Sequence, residues 1–442
     1  MLARLDKVWA EAALQPHLYL FKLEKAAYGL KDAPLMWYVA INQHLLSLNY
    51  QRTSHDPCCY KLVQDKSLRV LLSLHVDDTL CTGFDQDLIK LHKDLEVRFG
   101  TVKREVDRFR HFGVDTWRSK ETGHVYLDQA DYLRQLRPII IDRKRGDGRT
   151  AETASTAEEV TLFRSLVSAI AWLGQTFPPA LAGASLYQSY LPVPTVAQLG
   201  QLNNLLEQFT QMYVPLVLRS DIENPVLIVV ADSSLANNSK YSQGGHFILL
   251  ASQNQDGLCG QCSVLSYKSS KSKRVAASTL HAETLALVSA IEEASLVQTF
   301  LFEVEHPYLS TLELINAEPL LLVPMIGVTD CHDLLDTLCK STSPVLTNKA
   351  MQLYTTVLRE FHETKRVSSW SWTDTRDNLA NGLTKLEGDG TLPIKDICQT
   401  LLCGAWEPVH PYRWGLQLCD PVQHSYKALP APPPITKLAT PA

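Results

Sequence analysis

The chain has 442 residues, 45% of them hydrophobic and 20% charged, with a formal net charge of −5. That length supports two or three domains with buried cores, and the hydrophobic content excludes a chain disordered throughout. The small negative charge excludes recognition of nucleic acid by bulk charge, so any such contact must rest on local basic patches.

Ten cysteines follow no disulfide-like framework, which fits a reducing compartment. Cys259 and Cys262 form a single C-x-x-C. No second pair has zinc-binding spacing, so they read as ordinary strand residues. The start, MLARLDKVWAEAALQPHLYL, mixes acidic with apolar residues, unlike a secretory leader. No stretch approaches the roughly 20 apolar residues expected of a membrane span. The expectation is an intracellular protein, cytoplasmic or nuclear, not secreted and with no membrane partner.

In chain order, residues 21–38 read FKLEKAAYGLKDAPLMWY. Gly29 follows an apolar stretch, Asp32 is placed to cap a helix, and Pro34 suits its first turn. Trp37, Ile41, Leu45 and Leu48 then repeat with helical spacing. Residues 70–76, VLLSLHV, and the following Thr79-Leu80-Cys81 read as two strands with Asp77 and Asp78 at the turn between them. An Asp-Asp at a hairpin is ordinarily a solvated turn. Adjacent carboxylates at buried strand ends would instead repel each other and favour a hard divalent cation.

Residues 141–154, polar and glycine-containing, read as a linker. A mostly helical stretch follows to about residue 218, broken at Pro178-Pro179 and at Pro192 and Pro194. Next come an apolar strand at 226–232 ending in Asp232, strands at 244–252 and 262–269, and a helix at 279–300 carrying Glu283. The pattern closes with a strand at 320–330 ending in Asp330, a helix at 347–363, a strand at 366–373 and a helix at 378–385. Each acid alone has an ordinary role, capping the next helix or suiting a helix start. Together, two strand-end aspartates and a helix glutamate can converge at one end of a mixed sheet and hold metal over a scissile phosphate. Lys268, Lys271, Lys273 and Arg274 form a dense basic cluster, either a phosphate contact or a solvated loop. The end, ALPAPPPITKLATPA, has the composition of a disordered tail.

Several of these segments resemble, in order and spacing, copia-type LTR retrotransposon Pol polyproteins. FKLEKAAYGLKDAPLMWY is similar to their Y-G-L-K segment, and HVDD at 75–78 to their YVDD catalytic hairpin. FRHFGV at 109–114, VYLDQADYLRQL at 125–136 and FRSLVSAIAWL at 163–173 resemble the elements that follow. SYKSSKSKRVAASTLHAETLAL and NLANGLTK resemble their ribonuclease H segments. The resemblance implies a truncated reverse transcriptase palm at 1–140, a linker and helical connection or thumb at 141–220, a ribonuclease H-like domain at 221–390, and a C-terminal extension with a disordered proline-rich tail at 391–442. The fold class is accordingly α/β: an α+β palm fragment, a helical connection, and a mixed-sheet α/β domain.

By the same resemblance, Asp77 and Asp78 are palm metal ligands, with Gly29 and Lys31 near template and nucleotide. Asp232, Glu283 and Asp330 are nuclease metal ligands, and Lys271, Lys273 and Arg274 bind substrate. Mg2+ or Mn2+ is the implied cofactor. RNA template and RNA–DNA hybrid are the implied partners, with deoxynucleotides if the polymerase were complete. His75 stands for the usual tyrosine and Leu35 for a common arginine. The family's first aspartate element, V-D-V-x-x-A-F-L, has no match before Tyr28, so the polymerase site is expected to be incomplete. The fourth nuclease aspartate falls on Asn381, with Asp377 nearby. The expected function is that of a reverse transcriptase and ribonuclease H polyprotein fragment with possible metal-dependent RNA cleavage. The alternative is a degenerate copy that folds and at most binds nucleic acid.

Overall fold

The computed structural model describes residues 30–141, 148–235, 242–252, 260–340, 346, 348–406 and 408. The chain divides into two compact units, Met1–Val106 with Phe300–Asn316, and Asp107–Thr299 with Ala317–Ala442.

In the first unit, helix α1 (Ala33–Ser47) starts with Pro34 in its first turn, where a missing N–H costs nothing. Asp32 occupies the N-cap, but its side chain makes no capping bond, contrary to expectation. Ile41 and Leu45 carry the buried face. Strands β1 (Gln51–Arg52), β2 (Cys59–Gln64), β3 (Ser67–His75) and β4 (Asp78–Gly83) form an antiparallel sheet in that order. Along β3, alternation sends Val70, Leu72 and Leu74 into the core. There they meet Ile41, Leu45, Tyr60, and Leu91 and Leu95 of α2 (Asp85–Phe99).

The second unit begins with β5 (Arg108–His111), β6 (Val114–Arg118) and β7 (Val125–Asp128), then α3 (Ala130–Gln135). Three helices follow, α4 (Ala157–Leu173), α5 (Pro178–Tyr187) and α6 (Val196–Met212), separated where the prolines predicted breaks. Capping boxes Thr156/Glu159 and Thr195/Gln198 start α4 and α6. Strand β8 (Leu216–Leu218) pairs with β7 and completes a second antiparallel sheet.

The five-stranded sheet is mixed. Strands β9 (Pro225–Ser234), β10 (Gln243–Ser252) and β11 (Cys262–Lys271) are antiparallel, and α7 (Thr279–Glu305) follows. After the short helix α8 (Thr311–Ile315), β12 (Met325–Thr329) runs parallel to β9. Helices α9 (His332–Cys339) and α10 (Lys349–Glu363) lead to β13 (Ser369–Trp372), parallel to β12. The spatial order is β11-β10-β9-β12-β13. A 3-10 turn at Leu379–Leu383 and α11 (Lys395–Cys403) follow. The fold class expected from the sequence is the one observed.

One core joins helices α4, α5 and α6 to the sheet. Phe163, Ile170, Phe177, Tyr187, Leu199 and Phe209 pack with Ile228 and Val230 of β9, Phe247 of β10 and Val328 of β12. Helix α7 covers sheet positions where side chains are absent: a Cβ on Gly327 would lie 3.5 Å from Ile291 Cδ1, and one on Gly244 3.6 Å from Ala286 Cβ. This helix corrects one expectation. By length and composition α7 is apolar enough to cross a membrane, with an 18-residue window of mean hydropathy 1.5. A helix that is apolar nearly all round is also what the core of a large domain requires, and Ala282, Leu287, Ala290, Ile291 and Ala294 are buried.

Other boundaries moved for local reasons. The strand expected at 320–330 is confined to β12, because Pro319–Leu321 form a 3-10 turn and Pro324 has no N–H for a ladder. The helix expected at 378–385 is a 3-10 turn of five residues. The proline-rich tail and Cys259 lie outside the described residues, whereas Cys262 is buried in β11.

Candidate metal centre

Strand β9 sends alternate residues to opposite faces, so Asp232 continues the face of Ile228 and Val230, and it is 1% exposed. Glu283, 5% exposed, comes from the second turn of α7. Asp330 follows β12 directly and is half-buried. One carboxylate oxygen from each of the three lies within 4.8 Å of the others, the group of this kind found among the described residues.

The surroundings fix these carboxylates. The Ser233 N–H donates to Glu283 Oε1 at 3.3 Å. The Thr384 hydroxyl donates to Asp232 Oδ2, and the Lys385 ammonium stands 3.6 Å from the same oxygen. Trp372 Nε1 donates to the Asp330 carbonyl at 3.0 Å. Burial pushes the Asp232 carboxyl up, with Asp330 adding to the rise and Lys385 and Thr384 opposing it. Burial also pushes Glu283 up, reinforced by Asp232 and Asp330. The protein alone therefore leaves part of this negative charge uncompensated. An all-oxygen donor set with surplus charge fits a hard divalent cation such as Mg2+ or Mn2+.

Asn381 lies in the 3-10 turn, with its Nδ2 donating to the Thr375 carbonyl and its Oδ1 accepting from Lys385 Nζ at 2.7 Å. Asp377 is not one of the three grouped acids. Its carbonyl accepts from Trp406 Nε1 at 3.2 Å. Thr384 and Lys385 were not singled out from the sequence, although both lie in the NLANGLTK segment. The structure assigns that segment's last two residues to Asp232.

Gly245 pairs with Asp232 across β10 and β9. A Cβ there would lie 2.7 Å from Leu383 Cβ and 2.9 Å from Thr384 Cγ2. Gly245→Ala is expected to push the 3-10 segment outward and withdraw the Thr384 hydroxyl from Asp232. Overpacking of this kind costs about 1–3 kcal/mol. Urea denaturation and Mn2+ titration should both report weakening, and a variant equal to the wild type in both would contradict the close packing.

The remaining predicted residues lie elsewhere. Asp77 and Asp78 belong to the first unit, exposed at the β3–β4 hairpin. His75 pairs with Asp78, so Val76 and Asp77 form the turn. Val76 has φ +52°, an uncommon conformation for a β-branched residue, and its carbonyl accepts from Trp37 Nε1. Lys31 is exposed ahead of α1, and Gly29 lies outside the described residues. Lys268, Lys271, Lys273 and Arg274 are exposed at and beyond the end of β11. The Arg274 guanidinium lies over the Tyr354 ring at 4.9 Å.

Residues 15–143 match the family profile Reverse transcriptase (RNA-dependent DNA polymerase). The chain is 28% identical over 187 residues to the Retrovirus-related Pol polyprotein from transposon RE2 of Arabidopsis thaliana, covering 40% of this chain and 13% of that protein. It is 33% identical over 127 residues to the corresponding polyprotein from transposon TNT 1-94 of Nicotiana tabacum, covering 28% and 9%. The chain thus spans a small part of these relatives' length. Among solved structures, RNase H1 from Halobacterium salinarum NRC-1 is similar at 15% identity and a TM-score of 0.24, over 36% of this chain and 93% of that one. LC11-RNase H1 in complex with RNA/DNA hybrid is similar at 12% identity and a TM-score of 0.24, over 36% and 93%.

Proposed function

We propose that this copia-type Pol polyprotein segment acts as a divalent-metal ribonuclease H, cutting the RNA strand of an RNA–DNA hybrid. The observation that carries the reading is the convergence of Asp232, Glu283 and Asp330 within 4.8 Å at one end of a mixed sheet. These three side chains would hold the cation. When bound, a divalent ion supplies Lewis-acid stabilisation of charge on phosphate oxygens and lowers the pKa of water. The Thr384 hydroxyl orients Asp232, and the Ser233 N–H orients Glu283. Lys271, Lys273 and Arg274, with Lys268, would contact backbone phosphates, which makes binding weaken as salt rises. The palm, connection and nuclease boundaries near residues 140, 220 and 390 belong to the same proposal.

For the first unit we propose descent from a polymerase palm, with Asp77 and Asp78 as its metal-ligand pair and Lys31 near the template. Among the described residues, no third His, Cys, Asp or Glu forms a metal-holding group with them. Use of an RNA template and deoxynucleotides is therefore a property proposed for the longer polyprotein.

The full chain would be incubated with an end-labelled hybrid in Mg2+, with Asp232→Asn as control. The expected result is RNA-strand cleavage that EDTA and the substitution both abolish. Hybrid binding without cleavage would instead favour a non-catalytic element copy, a second reading supported by the uncharged Asn381.

A further inference from the structure

We propose that Lys385 supplies a fixed positive charge in the place of a second divalent ion, so that the acidic pocket takes one divalent cation rather than two. This inference rests on the reading of Asp232, Glu283 and Asp330 as metal ligands. It comes from the other side of the pocket, where Thr384 and Lys385 meet Asp232 and Asn381 meets Lys385. The Lys385 ammonium lies 2.7 Å from Asn381 Oδ1 and 3.6 Å from Asp232 Oδ2. That Asp232 oxygen also accepts from the Thr384 hydroxyl.

The charges support the assignment. A pocket with four carboxylates balances two dications. Asn381 removes one of those negative charges while keeping an amide oxygen as acceptor. Three carboxylates are balanced by one dication and one ammonium. An ammonium is a compact point charge with three donors, which suits it to sit between a carboxylate oxygen and an amide oxygen. A second dication on this side of Asp232 would meet an oxygen already engaged by a hydroxyl, an uncharged amide, and the repulsion of the ammonium.

Mn2+ titration of the full chain, with free ion counted by electron paramagnetic resonance, tests the proposal without relying on turnover. The wild type is expected to bind one ion tightly. Lys385→Met is expected to bind that ion severalfold more tightly, because a positive neighbour is gone, and Lys385→Arg is expected to behave like the wild type. The double variant Asn381→Asp with Lys385→Met is expected to bind two. Two ions on the wild type, or one on the double variant, would overturn the role of Lys385 and leave the three-carboxylate site standing. No ion on the wild type would overturn the metal site itself and this inference with it. Should circular dichroism show the double variant unfolded, the single variants decide: Met binding the ion no more tightly than Arg overturns the proposal.

Discussion

Replacing Glu283 by Gln should abolish hybrid cleavage and, in EDTA at pH 8, make the chain more resistant to unfolding than the wild type. Both effects have one cause. Burial, with Asp232 and Asp330 nearby, holds the Glu283 carboxyl above the usual range. For an acid raised in this way, the ionised form destabilises the fold. That cost is absent below the ordinary glutamate value of about 4.3 and grows as pH rises through the neutral range. Glutamine never carries the charge, so the gap between variant and wild type should widen from pH 5 to pH 8. With Mg2+ present the order should reverse, because the ion binds the folded wild type and stabilises it. Loss of a direct ligand should reduce metal affinity by more than the about 10- to 100-fold typical of a supporting residue. Thermal unfolding at pH 5 and pH 8, with EDTA or Mg2+, checks the prediction. A variant less stable than the wild type in EDTA at pH 8 would remove the electrostatic argument.

The alternation and helical spacing of the sequence made most of this architecture legible. VLIVVAD, GGHFILLAS and CSVLSYKS are strands because β-branched and apolar residues line a sheet covered on both faces. The break at Pro178-Pro179 fell where the first turn of a helix tolerates proline. What periodicity did not separate was a short apolar run from a strand: residues 319–321 form a 3-10 turn because proline removes a ladder donor. The apolar content of α7 is masked in the sequence because glutamates interrupt an otherwise apolar core helix.

The site was legible as three acids but not as a pocket. Asp232 lies near the end of a strand, Asp330 follows one and Glu283 lies early in a long helix, and it is the resemblance to copia-type polyproteins that marks the three as one ligand set. The engagement of Asp232 by Thr384 and Lys385 joins residues about 150 positions apart. No local pattern encodes that contact. Only the sheet order, with β9 central and the 3-10 segment packed beside Gly245, brings them together.

A second long-range pair, inside the first unit, should dominate its stability. Lys61 Nζ lies 2.8 Å from Glu303 Oε1, with the two side chains 5% and 1% exposed. Glu303 also accepts from the Ser54 N–H at 3.0 and 3.1 Å and lies 3.4 Å from His55 Nδ1. The pair itself is weak evidence of net stabilisation, since desolvating both charges offsets their attraction. Removing one partner is different, because the other stays buried and uncompensated. Lys61→Met should therefore destabilise the first unit by about 3–5 kcal/mol. Glu303→Gln should cost a similar amount by stranding the ammonium, while keeping an oxygen for the Ser54 N–H. The double variant, with neither charge, should recover much of the loss. Urea denaturation combined with hydrogen exchange of the β2 amides separates this unit from the rest of the chain. If each single change costs less than about 1 kcal/mol, the range of a solvent-exposed pair, the burial of this ion pair is not what holds β2 to residues 300–316.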